Sequence, residues 1–164
     1  SKDLQTAITN YCNDNGKLLI SGSNIATDIW DKVFDFPIDS ARVADVVAPS
    51  KEFAQNVLHW RWMTNYAAKN GKVKAAPSPY GFNGTYDFYT EMNEEVYSAE
   101  SPDAINPVGE GAYTIFRYAD NNISAGVAYD GDYKVVTLGF PIETIKSEDA
   151  QLEIIKEVCN FFEK

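Results

Sequence analysis

The chain has 164 residues, 45% hydrophobic, 13% aromatic and 23% charged, with 24 Asp+Glu against 14 Lys+Arg for a formal charge of −10. This composition specifies one globular domain around a single core, and no stretch approaches the roughly 20 apolar residues of a membrane-spanning helix. The negative field repels phosphate backbones and anionic lipid, so neither nucleic acid nor membrane insertion is expected.

Residues 3 to 14 place Leu4, Ala7, Ile8 and Tyr11 at helical spacing, and Asn15-Gly16 tolerates the left-handed backbone that ends a helix. Lys17-Leu18-Leu19-Ile20-Ser21 reads as a short buried strand, Gly22-Ser23-Asn24 as a tight turn, and Ile25 to Trp30 again as helix. Helix, buried strand, turn and helix in succession point to an α/β domain with a mostly parallel sheet. Asp39 predicts a cap for a short helix through Val47, and Ser50 a cap for another through Val57.

From Leu58 the period changes to two, with Leu58, Trp60, Trp62 and Thr64 on one side of a predicted strand. Asn70-Gly71 then predicts a hairpin into Lys72 to Ala76. Further strands are expected at Tyr86 to Glu91, Tyr113 to Ala119, Ser124 to Tyr129 and Tyr133 to Phe140, the last three as an antiparallel meander turning at Asn121-Asn122 and Asp130-Gly131. Ser147 caps a final helix whose inward stripe is read as Leu152, Ile155, Val158, Cys159 and Phe162. On that reading Cys12 and Cys159 are small core residues, a disulfide requiring their two helices to pack side by side.

Asn15-Gly16-Lys17-Leu18-Leu19-Ile20-Ser21-Gly22-Ser23 is similar to the strand that enters the nucleophile elbow of class I glutamine amidotransferase-like domains, where a catalytic cysteine occupies the turn. Val135 to Glu143, followed by a terminal helix, is similar to the strand ending in Phe-His-Pro-Glu. More narrowly, Phe116-Arg117-Tyr118, Ser124 to Tyr129 and Gly139 to Glu143 resemble a domain of Bacteroidetes proteins labelled putative xanthan lyase. The resemblance implies a flavodoxin-like three-layer sandwich with a mixed, mostly parallel sheet plus an antiparallel β-meander. It also implies a single domain over 1–164 that is a fragment of a longer protein, located in the periplasm, on the cell surface or outside the cell.

The departures from that family remove its chemistry. Ser21 or Ser23 stands where a thiolate would attack, and Phe140-Pro141-Ile142-Glu143 lacks the histidine, leaving Glu143 alone. A serine hydroxyl without an acceptor of suitable pKa is a poor nucleophile at neutral pH. Ser21, Ser23 and Glu143 are therefore read as remnants of a degenerate triad, and the domain as a noncatalytic accessory or interaction module of a polysaccharide-processing protein. Its expected partners are carbohydrate or other domains of that protein.

Two alternatives stand beside this reading. A polysaccharide lyase would use Arg61 or Arg117 to neutralise a uronate carboxylate and Tyr66 or Tyr118 as base. A carbohydrate-binding module would use an aromatic strand face of Trp60 and Trp62 with Tyr86, Phe88 and Tyr89, although core packing is the commoner destination for such residues.

Other features carry less. His59 is the single histidine, which excludes sites built on several imidazoles and leaves a surface residue or a lone general base. Asp87, Glu91, Glu94 and Glu95 cluster in sequence without a fixed separation. Asp130-Gly131-Asp132 and Asp120-Asn121-Asn122 read as turns, lacking the EF-hand spacing. Gly22-Ser23-Asn24 suits an anion at the following helix N-terminus as well as it suits a plain turn. No metal or cofactor is expected.

Overall fold

The computed structural model describes residues 1–30 and 49–164. Helix α1 (Lys2–Asn13) starts where the Ser1 hydroxyl accepts the Leu4 amide at 3.3 Å. It stops at Asn15, whose φ of 58° turns the chain so that the Gly16 amide reaches the Tyr11 carbonyl at 3.0 Å. Strand β1 (Lys17–Ser21) and helix α2 (Ile25–Trp30) follow as expected. Helix α3 covers residues 49–56, with Ser50 inside it and not capping it. The helix predicted from Asp39 through Val47 lies outside the described residues.

The described strands form two sheets. In the larger, β1 lies at one edge beside β8 (Lys134–Leu138), then β7 (Ser124–Asp130), β6 (Ala112–Tyr118), β3 (Lys72–Ala75) and β4 (Thr85–Asp87). In the smaller, β2 (Trp60–Thr64) pairs antiparallel with β5 (Ala104–Pro107). The β6–β7–β8 meander forms as expected.

This architecture corrects the expectation of a flavodoxin-like sandwich. Among the described strands only β1 and β8 run parallel, in the register Leu18↔Val135 to Ser21↔Leu138; β7–β8, β6–β7, β3–β6 and β3–β4 are antiparallel. The six strands curl into a half-barrel. The strand–turn–helix run at β1–α2 suggested a parallel sheet, yet tight turns after β6 and β7 send each strand back beside its predecessor. Two register shifts between Thr114 and Arg117 leave one extra residue on β6, Ile115, and one on β7, Ala125, a device that bends strands and increases their twist. The hairpin expected between Leu58–Thr64 and Lys72–Ala76 does not form: β2 leaves for the small sheet, while β3 is inserted between β4 and β6.

Alternation along β8 places Val136 and Leu138 in one core cluster and Val135 in another. The first cluster packs against helix α4 (Glu148–Glu163) through Ile154, Val158 and Phe161. The second holds Cys12, Ala26, Phe53, Ala54, Leu58, Trp60 and Ile105, joining α1, α2, α3 and the small sheet. The predicted inward stripe of α4 is corrected: Leu152, Ile155 and Cys159 are exposed. The helix carries two apolar rows, and the aromatic ring of Phe161 decides between them by packing on Tyr80 and Phe82 at centroid distances of 4.9 and 5.8 Å. Both cysteines are free.

Candidate functional site

β1 and β8 end side by side, and this parallel edge is where a strand pair in an α/β arrangement opens a crevice. The turn after β1 is tied to β8 by the Gly22 amide, which donates to the Leu138 carbonyl at 3.2 Å. Asn24 at φ 60° completes the bend into α2. Ser21, at the last position of β1, accepts the Ile142 amide on its hydroxyl at 3.0 Å. That bond fixes the short 3-10 turn Ile142–Thr144 and leaves Glu143 exposed above the end of β8.

The long connection between β4 and β5 closes the other side. Tyr97 donates its hydroxyl to Glu143 Oε1 at 2.6 Å, and the Tyr66 amide donates to Ser101 Oγ at 3.4 Å. Together Ser21, Gly22, Ser23, Asn24, Ile25, Tyr66, Tyr97, Ser98, Glu100, Ser101 and Glu143 line a cleft of about 510 Å³. Tyr66, held at φ 48°, is 71% exposed and Tyr97 is 55% exposed, so two phenol rings stand free at its mouth. Burial, then the hydrogen bond and charge of Glu143, push the Tyr97 phenol up to about 12. The Ser23 hydroxyl oxygen is shut off from solvent and has no partner among the described residues.

Ser21, Ser23 and Glu143 thus share one cleft. Ser21 spends its acceptor on a backbone amide, and neither His nor Cys lies among the described lining residues. The helix N-terminus is also occupied. Asp103, fully buried, accepts the Ala26 amide at 2.8 Å, the Thr27 amide at 3.4 Å and the Thr27 hydroxyl at 2.5 Å. An incoming anion finds these donors taken by the protein's own carboxylate. Burial raises the Asp103 carboxyl above its ordinary range, opposed by hydrogen bonds from Thr27 and Ala26.

Asp103 reaches this position because Gly139 has no side chain. A Cβ there would stand 2.0 Å from the Asp103 carbonyl oxygen, where the Asp103 amide instead donates to the Gly139 carbonyl at 2.7 Å. The Tyr118 hydroxyl donates to the same Asp103 carbonyl at 2.6 Å, and burial holds that phenol well above its usual range. Tyr118 is completely buried and serves this junction, not proton abstraction.

The remaining predicted residues lie elsewhere. Trp60 is fully buried, its indole N–H donating to Thr137 Oγ1 at 3.1 Å, and the half-buried Trp62 donates to Thr27 Oγ1 at 3.0 Å. With Tyr86 on β4 and Phe88 just after it also buried, the expected aromatic platform is not assembled. Arg117 donates to the Asn122 carbonyl at 3.0 Å, and Arg61 is exposed on β2; neither lines the cleft. Asp87 faces Lys72 at 3.5 Å, Glu95 accepts the Tyr89 hydroxyl at 3.1 Å, and Asp130 pairs with Lys134 at 3.1 Å.

His59, at φ 59°, stacks on Tyr129 at 3.4 Å and meets the Tyr133 hydroxyl at 3.1 Å through Nε2. Those tyrosines flank the turn that enters β8, whereas the cleft lies beyond its other end. Among the described residues no group of three or more His, Cys, Asp or Glu is arranged to hold a metal ion. None of the described helices is long and apolar enough to cross a membrane.

Sequence reasoning missed Tyr97, Ser98, Glu100, Ser101 and Asp103. They sit in a connection with neither helical nor alternating period, where a lone tyrosine among polar residues is the only local signal.

No family model and no curated protein matches the chain. Among solved structures it is similar to the exo-beta-1,4-mannosidase Op5Man5 from Opitutaceae bacterium strain TAV5, with a TM-score of 0.50 and 12% identity. The match covers 97% of this chain and 22% of that one, so the chain spans about a fifth of the mannosidase's length. A likeness at this identity is one of fold.

Proposed function

We propose that the chain is a noncatalytic carbohydrate-binding accessory module whose ligand sits in the cleft at the ends of β1 and β8. The observation that carries this reading is the pairing of two exposed tyrosine rings, Tyr66 and Tyr97, with hydroxyls and carboxylates converging from three separate segments. Flat amphipathic rings pack on the apolar face of a sugar while carboxylate and serine oxygens bond its hydroxyls. A fold shared with part of a protein named as a mannosidase supports the same class of ligand. Ser21 and Glu143 act in this reading as ligand contacts. A lyase is disfavoured because no described Arg or Lys lines the cleft to neutralise a uronate.

Calorimetric titration with a panel of tetrasaccharides tests the proposal. One or more should bind, and Tyr97→Ala and Tyr66→Ala should each weaken binding about three- to tenfold, the worth of an aromatic contact. Release of reducing ends from any of these sugars, or ammonia from glutamine, would show catalysis and overturn it. So would a binding sugar whose affinity ignores both tyrosines.

A further inference from the structure

The cleft has a charge as well as a shape. Glu100 and Glu143 are both exposed, and no Lys, Arg or His is among the described residues that line it. Glu143 gives one oxygen to the Tyr97 hydroxyl and keeps the other for a ligand. The nearest cation in sequence, Lys146, is drawn away over the ring of Tyr89, 5.4 Å from its centroid. Tyr66 and Tyr97, both exposed in the same lining, are rings whose faces carry the negative side of the aromatic quadrupole.

We infer that the cleft selects sugars by charge, taking units that carry an ammonium group in preference to neutral hexoses and excluding uronates. The inference rests on the saccharide-binding reading of the cleft and names its ligand class. Two exposed carboxylates acting on one ammonium group are worth about three- to tenfold in affinity at low salt, since each is a surface ion pair. Most of that preference is lost once salt screens charges beyond a few ångströms.

The test compares four tetrasaccharides by calorimetry at pH 6: β-1,4-glucosamine, its N-acetylated form, mannotetraose and tetragalacturonate. The expected result is tightest binding of the glucosamine tetramer, weaker binding of the two neutral sugars and none of the galacturonate. The preference should shrink in 0.5 M NaCl and in the double variant Glu100→Gln/Glu143→Gln. Tyr97→Ala should weaken all the sugars that bind, which separates the cleft from diffuse attraction to an acidic surface. Neutral sugars binding as tightly as glucosamine, or galacturonate binding at all, overturn the charge selection while leaving a sugar cleft in place. Binding of glucosamine that survives both the double glutamine variant and Tyr97→Ala also overturns it. No binding of any tetramer overturns the cleft reading itself.

Discussion

Thr27 and Asp103 lock the start of α2 to the small sheet: the threonine hydroxyl donates to the buried carboxylate at 2.5 Å and accepts the Trp62 indole N–H at 3.0 Å. A carboxylate at a helix N-terminus satisfies amides that otherwise have no intrahelical partner. Here that carboxylate, Asp103, comes from the residue just before β5 and accepts both the Ala26 and the Thr27 amide.

Asp103→Ala should therefore destabilise the fold by about 2–3 kcal/mol, because it strips a charged acceptor from buried donors. Urea unfolding measures the loss. A change below about 0.5 kcal/mol, the range of an ordinary surface substitution, would show that the junction does not hold α2.

Trp60 and Thr137, both buried, join the small sheet to the large one through their 3.1 Å hydrogen bond. Trp60→Phe and Thr137→Val should each destabilise, and the double variant should cost about 1 kcal/mol less than the sum. Strict additivity in urea unfolding would mean that packing alone holds the sheets together.

His59 gives the fold a pH dependence of defined sign. Burial lowers its pKa below the ordinary 6.5, partly offset by a backbone hydrogen bond to Val108. The unfolded chain then takes up a proton at higher pH than the folded one. Stability from this group is complete above pH 6.5 and declines as the pH falls through the folded value. The unfolding midpoint should drop between pH 7 and pH 5, and less steeply in His59→Gln. Identical slopes in the two proteins would remove His59 as the cause.

Cys159 is exposed, whereas burial pushes the Cys12 thiol up. A thiol-specific disulfide reagent should label one cysteine in the native protein and the second only on unfolding. The label should disappear from the native protein in Cys159→Ser. Fast modification of both would mean that α1 does not stay packed on the second core cluster.

Much of the chain was legible from neighbouring residues. The stop at Asn15-Gly16, the cap at Ser147, the short strand Lys17–Ser21 and the final meander all follow from local backbone preference and period, which need no knowledge of what lies across the fold. The identity of Ser21 and Glu143 as groups without a cysteine or histidine partner was equally plain. Strand direction was not legible, since β3 and β8 each pair with strands remote in sequence and a parallel or antiparallel partner demands no different composition. Only packing chose which apolar row of α4 faces inward, and only the side-chain-free backbone of Gly139 let Asp103 reach the start of α2. The cleft itself assembles from segments around positions 21, 66, 97 and 143, and no period within any one of them records that the others will meet it there.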